Sequence, residues 1–416
     1  MIELNADRHD ELAALIAQHL EQGGETLEAA RWSARAAHWA GYSHPQDAIR
    51  LWGKVTELAS QLPESEETAA LGVFSRLLQL DYAWRLGMDK ERVDALVEEA
   101  REIAARTGDL RSLTLLRFLE SSRPGLDQHA REWTRAVDEC IAHADESGDD
   151  ALRVAIRTAG SYSYLIAGDF DRCEQLLDEA LAIAGDDHSA GNGIVLGCPY
   201  AWAMMGKGIM RRECAEYDAA EQLFEKAMRI AAQQGDPETE SWTRGNLAML
   251  LAVRGDLDPA LGLALRNYEL TERLGDVFSR VWALINLGIV RLARGEAEDA
   301  LDALERGDRL YREAMGKGGE AEPWREALIA EALVGVGRVP EALERAERGA
   351  AIARERGVLW TLPRALRTLA QVRVAAGAQN WAEPLDEAEK LASADGRLYE
   401  LQGIETVRNS VPAGRA

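Results

Sequence analysis

The chain of 416 residues is 47% hydrophobic and 29% charged, a composition that can bury a core and excludes a disordered protein. Its 48 Lys and Arg residues are outnumbered by 71 Asp and Glu residues, which gives a net charge of −23. Because such a chain is repelled by phosphate backbones and by anionic lipid head groups, we expect neither nucleic acid nor a membrane surface as a partner.

The cysteines and the N-terminal residues indicate the cellular compartment. Cys140, Cys173, Cys198 and Cys214 are irregularly spaced and form no Cys-x-x-Cys pair, which argues against a disulfide framework and against a zinc site. The first residues are polar and acidic, and no run approaches the ~18 apolar residues that a membrane-spanning helix needs. Because the sequence shows neither a disulfide pattern nor an apolar N-terminal or membrane-spanning segment, we expect a cytoplasmic protein.

Helix-forming residues dominate nearly every segment, since Ala, Leu, Glu and Arg are abundant and runs of β-branched residues are almost absent. The sequence therefore predicts an all-α protein. In chain order, we interpret residues 1–66 as N-terminal junction helices and 67–149 as divergent helical pairs. Residues 150–395 form the regular repeats, the last of which is interrupted at Pro384. Residues 396–416 form a C-terminal capping helix and a frayed tail.

A glycine recurs about every 20 residues through the regular region. A helix that ends in a left-handed turn favours glycine, which adopts this conformation without a Cβ penalty. The unit is therefore helix, turn, helix, turn, with a period of about 40 residues, and Ala215 takes the place of one glycine. The glycines are Gly148, Gly168, Gly235, Gly255, Gly275, Gly295, Gly337, Gly357 and Gly377.

Four segments of this region resemble the tetratricopeptide repeat (TPR). Residues 168–184, GDFDRCEQLLDEALAIA, and 215–231, AEYDAAEQLFEKAMRIA, are similar to the second half of that repeat, and 245–261 and 285–301 are similar to its middle. The resemblance implies a right-handed α-α superhelix of about nine or ten helical hairpins. The period of ~40 residues, instead of the usual 34, implies helices that are longer than in most TPR proteins.

Tryptophans occupy the same place in successive units, near the start of the first helix, and two of them are followed four residues later by Asn. In TPR proteins, such positions line the concave groove, and Asn there can hydrogen-bond the backbone of a bound peptide. The resemblance thus implies a groove that contacts a partner. The alternative is that each Trp packs between adjacent units, with its indole N–H bonded to a local acceptor. The six candidate groove residues are Trp202, Trp242, Asn246, Trp282, Asn286 and Trp324.

A Gly-rich stretch at 185–199 makes one repeat longer than the others. It is either a long loop between repeats or a lip that contacts a ligand. Elsewhere, the two MGKG segments at 205–208 and 315–318 lack the first Gly and the Ser or Thr of a phosphate-binding loop, and the seven histidines include no His-Glu-x-x-His pair. We therefore expect no enzyme, no cofactor and no metal.

The N-terminal segments carry a second resemblance. AARWSARAAHWAG (29–41), DAIRLWGKVTELASQLP (47–63) and RLGMDKE (85–91) are similar to the region that follows the ATPase module in bacterial multidomain adenylate/guanylate cyclases. Those proteins join a class III cyclase domain to an AAA-like signalling ATPase and a long TPR array. The resemblance implies a sensor portion that binds a protein, a peptide or a small effector in its groove and regulates an ATPase or cyclase module in cis or in trans. The alternative is a free-standing scaffold or adaptor that assembles a protein complex.

Overall fold

Twenty α-helices make up the part of the chain that the computed structural model describes, residues 8–125, 129–315 and 319–411, and no β-strand occurs in these ranges. The prediction of an all-α solenoid is confirmed, and twenty helices correspond to the nine or ten expected hairpins. A short 3-10 turn, Gly41–Ser43, lies between the second and third helices. The helices are α1 (His9–Gln22), α2 (Thr26–Ala40), α3 (Pro45–Ser60), α4 (Glu66–Leu86), α5 (Lys90–Thr107), α6 (Leu110–Gly125), α7 (Ala130–Ser147), α8 (Asp150–Ala167), α9 (Phe170–Ala184), α10 (Pro199–Glu213), α11 (Tyr217–Gln233), α12 (Pro237–Arg254), α13 (Leu257–Leu274), α14 (Val277–Ala293), α15 (Ala297–Met315), α16 (Glu322–Gly335), α17 (Val339–Arg356), α18 (Leu362–Ala375), α19 (Ala382–Ala394) and α20 (Leu398–Ser410).

The helices begin and end where the residue types dictate. Aspartates before α5, α8, α9, α12 and α14 accept hydrogen bonds from backbone N–H groups of the first turn. All nine glycines of the predicted period have positive φ. Ala215 also adopts a positive φ of 59°, although its Cβ disfavours that conformation. The repeat therefore continues through the unit that lacks a glycine.

Consecutive helices pair as antiparallel hairpins from α8–α9 to α18–α19, and the first helices of neighbouring hairpins also pack on one another. Small residues five positions after the turn within each hairpin are fully buried, which lets the two helices of the hairpin come close together. These residues are Cys173, Ala220, Ala260, Ala300 and Ala342. The even-numbered helices thereby form the inner layer of the superhelix, and the odd-numbered ones form the outer layer.

The superhelix closes on itself, because polar contacts join segments that lie more than 150 residues apart in the chain. A solenoid whose units touch only their neighbours has no such contacts. The inner layer consequently surrounds a narrow, partly enclosed space, which we call the lumen. The contacts pair Arg85 with Glu238, Tyr162 with Glu320, Ile166 with Trp360, Glu213 with Arg397, and Tyr217 with Gln402.

Some expectations about the ends and turns need correction or stay open. Pro384 does not interrupt the last repeat but lies in the first turn of α19, where the helix needs no N–H donor. The first MGKG segment, 205–208, lies inside α10. Residues 316–318 of the second segment, and 412–416 of the predicted frayed tail, lie outside the described residues. No helix in the described part of the chain is long and apolar enough to cross a membrane.

Candidate ligand-binding cavity

The lumen contains a cavity of about 180 Å³. All six residues singled out in the sequence line it, although they belong to four different repeats. Most of the other lining side chains are apolar or aromatic and come from α4, α6, α7, α8, α10, α12 and α14. The remaining lining residues are Asp81, Phe118, Leu119, Trp133, Ala159, Tyr162, Val195, Leu196, Met205, Ile209, Met249, Phe278, Glu320 and Trp360.

Aromatic rings form two connected series along the cavity wall. In the first, Tyr162 stands edge-on between Trp133 and Trp202, with ring centroids 5.9 and 6.1 Å away. In the second, neighbouring rings are 5.5 to 6.2 Å apart and meet at angles between 53° and 82°. Rings that meet at such steep angles form the walls of a box and not a flat stack. The second series runs through Trp242, Phe278, Trp282, Trp324 and Trp360.

The repeated tryptophans combine features of both interpretations that the sequence left open. Trp202 and Trp324 are only 7% and 6% exposed, whereas Trp242 and Trp282 are half-buried. The indole N–H of Trp242 donates to Ser279 Oγ over 3.1 Å, as expected of a side chain that packs between units. The same rings nevertheless line the cavity. Their contact with a partner stays a prediction.

The two asparagines differ in what holds them. Asn246 Oδ1 accepts a hydrogen bond of 2.9 Å from Arg212, and its Nδ2 donates to the Trp242 carbonyl oxygen over 3.0 Å. Asn286 is 3% exposed and lines the cavity, yet among the described residues none hydrogen-bonds its side chain. A Cβ at Gly245 would overlap Asn286 Nδ2, so this glycine provides the space that the amide occupies. Asn286 therefore offers the lumen a free donor and acceptor, and Asn246 does not.

Sequence reasoning missed several lining residues that a broader search would have found. The Trp series continues in Trp360, 36 residues after Trp324, and begins in Tyr162, 40 residues before Trp202. A search for any aromatic residue at the repeat period would have included both. No periodic signal marks Asp81 or Phe118, which reach the cavity only because the superhelix closes.

The Gly-rich stretch reaches the cavity. Val195 and Leu196 are buried in its wall, 4% and 7% exposed. The stretch is held in place because the backbone N–H of Cys198 donates to Asp236 Oδ2 over 2.7 Å, and Asn192 Nδ2 donates to Gln234 over 2.9 Å. The structure therefore makes this loop a lip of the cavity. Its contact with a ligand stays a prediction.

One end of the lumen is closed by a buried group that we call the acidic cluster, namely Asp81, Arg85 and Glu238. Arg85 donates to Glu238 over 2.7 and 3.0 Å and to Asp81 Oδ1 over 3.0 Å, and all three residues are at most 3% exposed. Tyr42 donates its hydroxyl to Asp81 over 2.8 Å. Because burial disfavours the charged form, it raises the pKa of Glu238 to about 8, with the neighbouring Asp276 adding to the effect and Arg85 opposing it.

A second buried group, which we call the basic cluster, joins α10 to the start of α20 and consists of Arg212, Glu213 and Arg397. Arg397 donates to Glu213 over 2.8 and 3.1 Å, and Arg212 donates to it over 3.2 Å. The two guanidinium groups outweigh burial and lower the pKa of Glu213. Through Arg212, this cluster is connected to Asn246 at the cavity wall.

The arrangement is suited to binding, because its lining is mainly apolar and aromatic. Among the described residues, the lining holds no nucleophile next to a base, and no group of three or more His, Cys, Asp or Glu could hold a metal ion.

Comparisons with known proteins agree with the fold. Residues 239–313 match the family model described as tetratricopeptide repeat, and no curated protein sequence matches the chain. A crystal structure of a Rap protein complexed with competence and sporulation factor is 13% identical, with a TM-score of 0.59 over 94% of this chain and 99% of that one. The Rap conjugation gene regulator of plasmid pLS20, in complex with the Phr* peptide, is 13% identical, with a TM-score of 0.53 over 89% and 94%.

A weaker structural match is the signal transduction ATPase with a TPR sensor from Pyrococcus horikoshii, 16% identical, with a TM-score of 0.44 over 87% of this chain and 50% of that one. At such identities the first two matches show the fold alone. The chain is therefore a TPR-like α-solenoid. The finer resemblance to the cyclase-associated arrays rests on the sequence segments quoted above.

Proposed function

We propose that the chain is a non-catalytic, ligand-binding regulatory solenoid, which takes up an effector in its lumen and passes the binding event to a signalling ATPase or nucleotide cyclase. The single observation that carries the proposal is the convergence of the repeated Trp and Asn positions on one cavity. A concave space lined mainly by apolar and aromatic side chains, with a few polar groups among them, is typical of a ligand-binding site.

The closing contacts supply a way to transmit binding. Glu238 of the acidic cluster is four residues before Trp242, and Glu320 is four residues before Trp324, so the side chains that close the lumen adjoin those that line it. A ligand that packs against the Trp rings binds the closed superhelix more tightly than an open form, and it therefore shifts the equilibrium toward the closed form. The size of the shift is set by the difference between the two binding free energies. A module attached to the chain or bound by it would sense that change in curvature.

Two further points support a binding role. The two Rap structures are complexes with a factor or a peptide, and their fold is similar to that of this chain. A free-standing scaffold would need a contiguous apolar patch on its outer surface. The exposed large apolar side chains of the described residues lie instead on five different helices: Leu15, Trp39, Leu110, Leu265 and Leu398. This distribution favours the lumen over the outer surface as the binding site.

The test is a thermal-unfolding screen of the full chain against small aromatic, aliphatic and ammonium compounds and short apolar peptides. We expect at least one class to raise the unfolding temperature of the wild type and of the control Trp39→Leu, whose side chain is 56% exposed. Ala159→Phe, which fills the cavity, and Trp282→Leu, which opens it, should both lose the shift. Shifts that persist in both cavity variants would place the binding site elsewhere and refute the proposal.

A further inference from the structure

The walls of the cavity carry more information about the ligand than its size does. Nine of the lining side chains are aromatic, and six of these are Trp, out of eleven Trp in the whole chain. Trp has the most electron-rich ring face of the three aromatic residue types, and it is the one that attracts cations most strongly. The rings meet at steep angles and surround a space close in size to the ~150 Å³ apolar cavities that hold benzene.

The charged groups at the cavity share one sign. Among the described residues, Asp81 and Glu320 are the charged ones that line it, and none of the lining residues is Lys, Arg or His. The carboxyl of Glu320 accepts a hydrogen bond of 3.1 Å from Tyr162, another lining residue. An anionic ligand would lie beside these carboxyl groups, and Arg85, which pairs with Asp81, is not among the described lining residues, so the lining disfavours an anion.

The surroundings of the acidic cluster extend this negative character. Burial raises the pKa of Asp236 and of Asp276, and Arg85, the guanidinium that pairs with Asp81 and Glu238, opposes this rise. Asp236 and Asp276 also cap the N-termini of α12 and α14. Among the described residues, four carboxyl groups therefore surround this one guanidinium.

We infer that the cavity is an aromatic cage for a small organic cation with a methylated ammonium group. This inference rests on the proposed function and specifies its ligand. A primary ammonium is strongly hydrated and would need several acceptors to replace its water, whereas a methylated ammonium is apolar on its surface and gives up water readily. The Trp faces and the carboxyl groups stabilise its charge, and the free amide of Asn286 binds a hydroxyl or carbonyl group on the rest of the ligand.

The same chemistry could come from a free small molecule or from a methylated lysine side chain of a protein. The contacts that join segments more than 150 residues apart close the lumen around the cavity. A polypeptide could enter only if they opened, whereas a free small molecule needs a narrow passage. The ligand is therefore a free molecule.

The experiment is a ligand-observed NMR titration of the full chain with choline and with its neutral isostere 3,3-dimethylbutan-1-ol, which differ in charge but hardly in shape. We expect choline to bind about tenfold or more tightly than the isostere. Trp282→Leu should remove most of this preference, and Trp39→Leu should leave it unchanged. A trimethyllysine tetrapeptide should bind much more weakly than choline.

Any other outcome refutes a specific part of the inference or of the proposed function. Equal binding of choline and the isostere, lost in Ala159→Phe, would leave a lumenal binding site but refute the cation. Tighter binding of the tetrapeptide than of choline would refute the free ligand. If neither probe binds while another compound class stabilises the wild type and not Ala159→Phe, the proposed function survives and the cation fails. If nothing binds in either experiment, both proposals fail.

Discussion

The acidic and the basic clusters do the same structural task with opposite charge balance. Each joins two segments that lie more than 150 residues apart, and each is built from three charged residues that are at most 3% exposed. The acidic cluster has one guanidinium between two carboxyl groups, and the basic cluster has one carboxylate between two guanidinium groups. Burial raises the pKa of Glu238 in the first, while the two arginines lower the pKa of Glu213 in the second.

The acidic and the basic cluster therefore respond to pH in opposite ways. A carboxyl group that binds its proton more tightly when folded favours closure at low pH, and one that binds it less tightly favours closure at high pH. The acidic and the basic cluster are therefore expected to change their contributions to stability in opposite directions when the pH changes.

The largest expected effect comes from removing the central residue of each cluster. Arg85→Met leaves two buried carboxyl groups without their cation and should lower the free energy of unfolding by ~3–5 kcal/mol, as measured by urea denaturation. Glu213→Gln should cost less, because Arg397 also faces Glu400 and Asp395. Acidification should raise the stability of Arg85→Met itself, since its buried carboxyl groups can then be protonated, whereas Glu213→Gln has no such carboxyl group in its cluster and should gain nothing from it. Equal responses of the two variants to acid would contradict the comparison.

The pH dependence of the wild type is the second test. The ordinary pKa of a glutamate is 4.5, and the pKa of folded Glu238 is raised to about 8. Between these two pH values, Glu238 holds a proton in the folded protein and releases it in the unfolded chain. Its contribution is complete below this window and is lost as the pH rises through it, by at most about 1.4 kcal/mol per pH unit. Glu213, with its lowered pKa, contributes above its ordinary value and loses this contribution as the pH falls.

The matched control for this test is Glu238→Gln, which keeps the shape of the side chain but cannot titrate. We expect the free energy of unfolding of the wild type to fall relative to that of the variant as the pH rises from about 5 to about 8, in urea titrations at constant ionic strength. Parallel curves for the two proteins would show that Glu238 has the same pKa in both states.

The smallest effects are those of replacing the two asparagines, which should differ because only Asn246 is bonded to the basic cluster. Asn246→Ala removes the acceptor of Arg212 Nη1 and should cost ~1–2 kcal/mol of stability. Asn286→Ala loses no hydrogen bond within the described chain and should cost less than ~1 kcal/mol, while lowering the affinity for a lumenal probe such as choline several-fold. Thermal unfolding and the NMR titration measure these two quantities. Equal stability losses would mean that Asn286 also has a structural partner.

The repeat period, the helices and the inner register were predictable because each depends on residues within about 40 positions of one another. Left-handed glycines mark the helix ends, and the positions of Trp242 and Trp282 follow from the same count. These are local rules of backbone conformation and helix pairing, which a sequence displays directly.

Two features could not be predicted in this way: the closure of the superhelix, and the difference between Asn246, which is hydrogen-bonded, and Asn286, whose side chain has no hydrogen bond within the described chain. Arg85 contacts Glu238 only because the superhelix turns back on itself. The rotation between successive repeats sets this curvature, and that rotation depends on side-chain packing that no sequence motif shows. Asn246 and Asn286 have the same register, and what distinguishes them is the presence of Arg212 beside one and of Gly245 beside the other.

Closure also constrains how the gene can change. Repeat proteins commonly gain and lose units, because each unit needs only its neighbours. Here Arg85 faces Glu238, and Glu213 faces Arg397, so an extra hairpin inserted between the members of either pair would place a different residue opposite each charge. Duplications and deletions are thereby penalised between α4 and α20 but tolerated before α4. The molecule fixes its own number of repeats, as a ring does and an open solenoid does not.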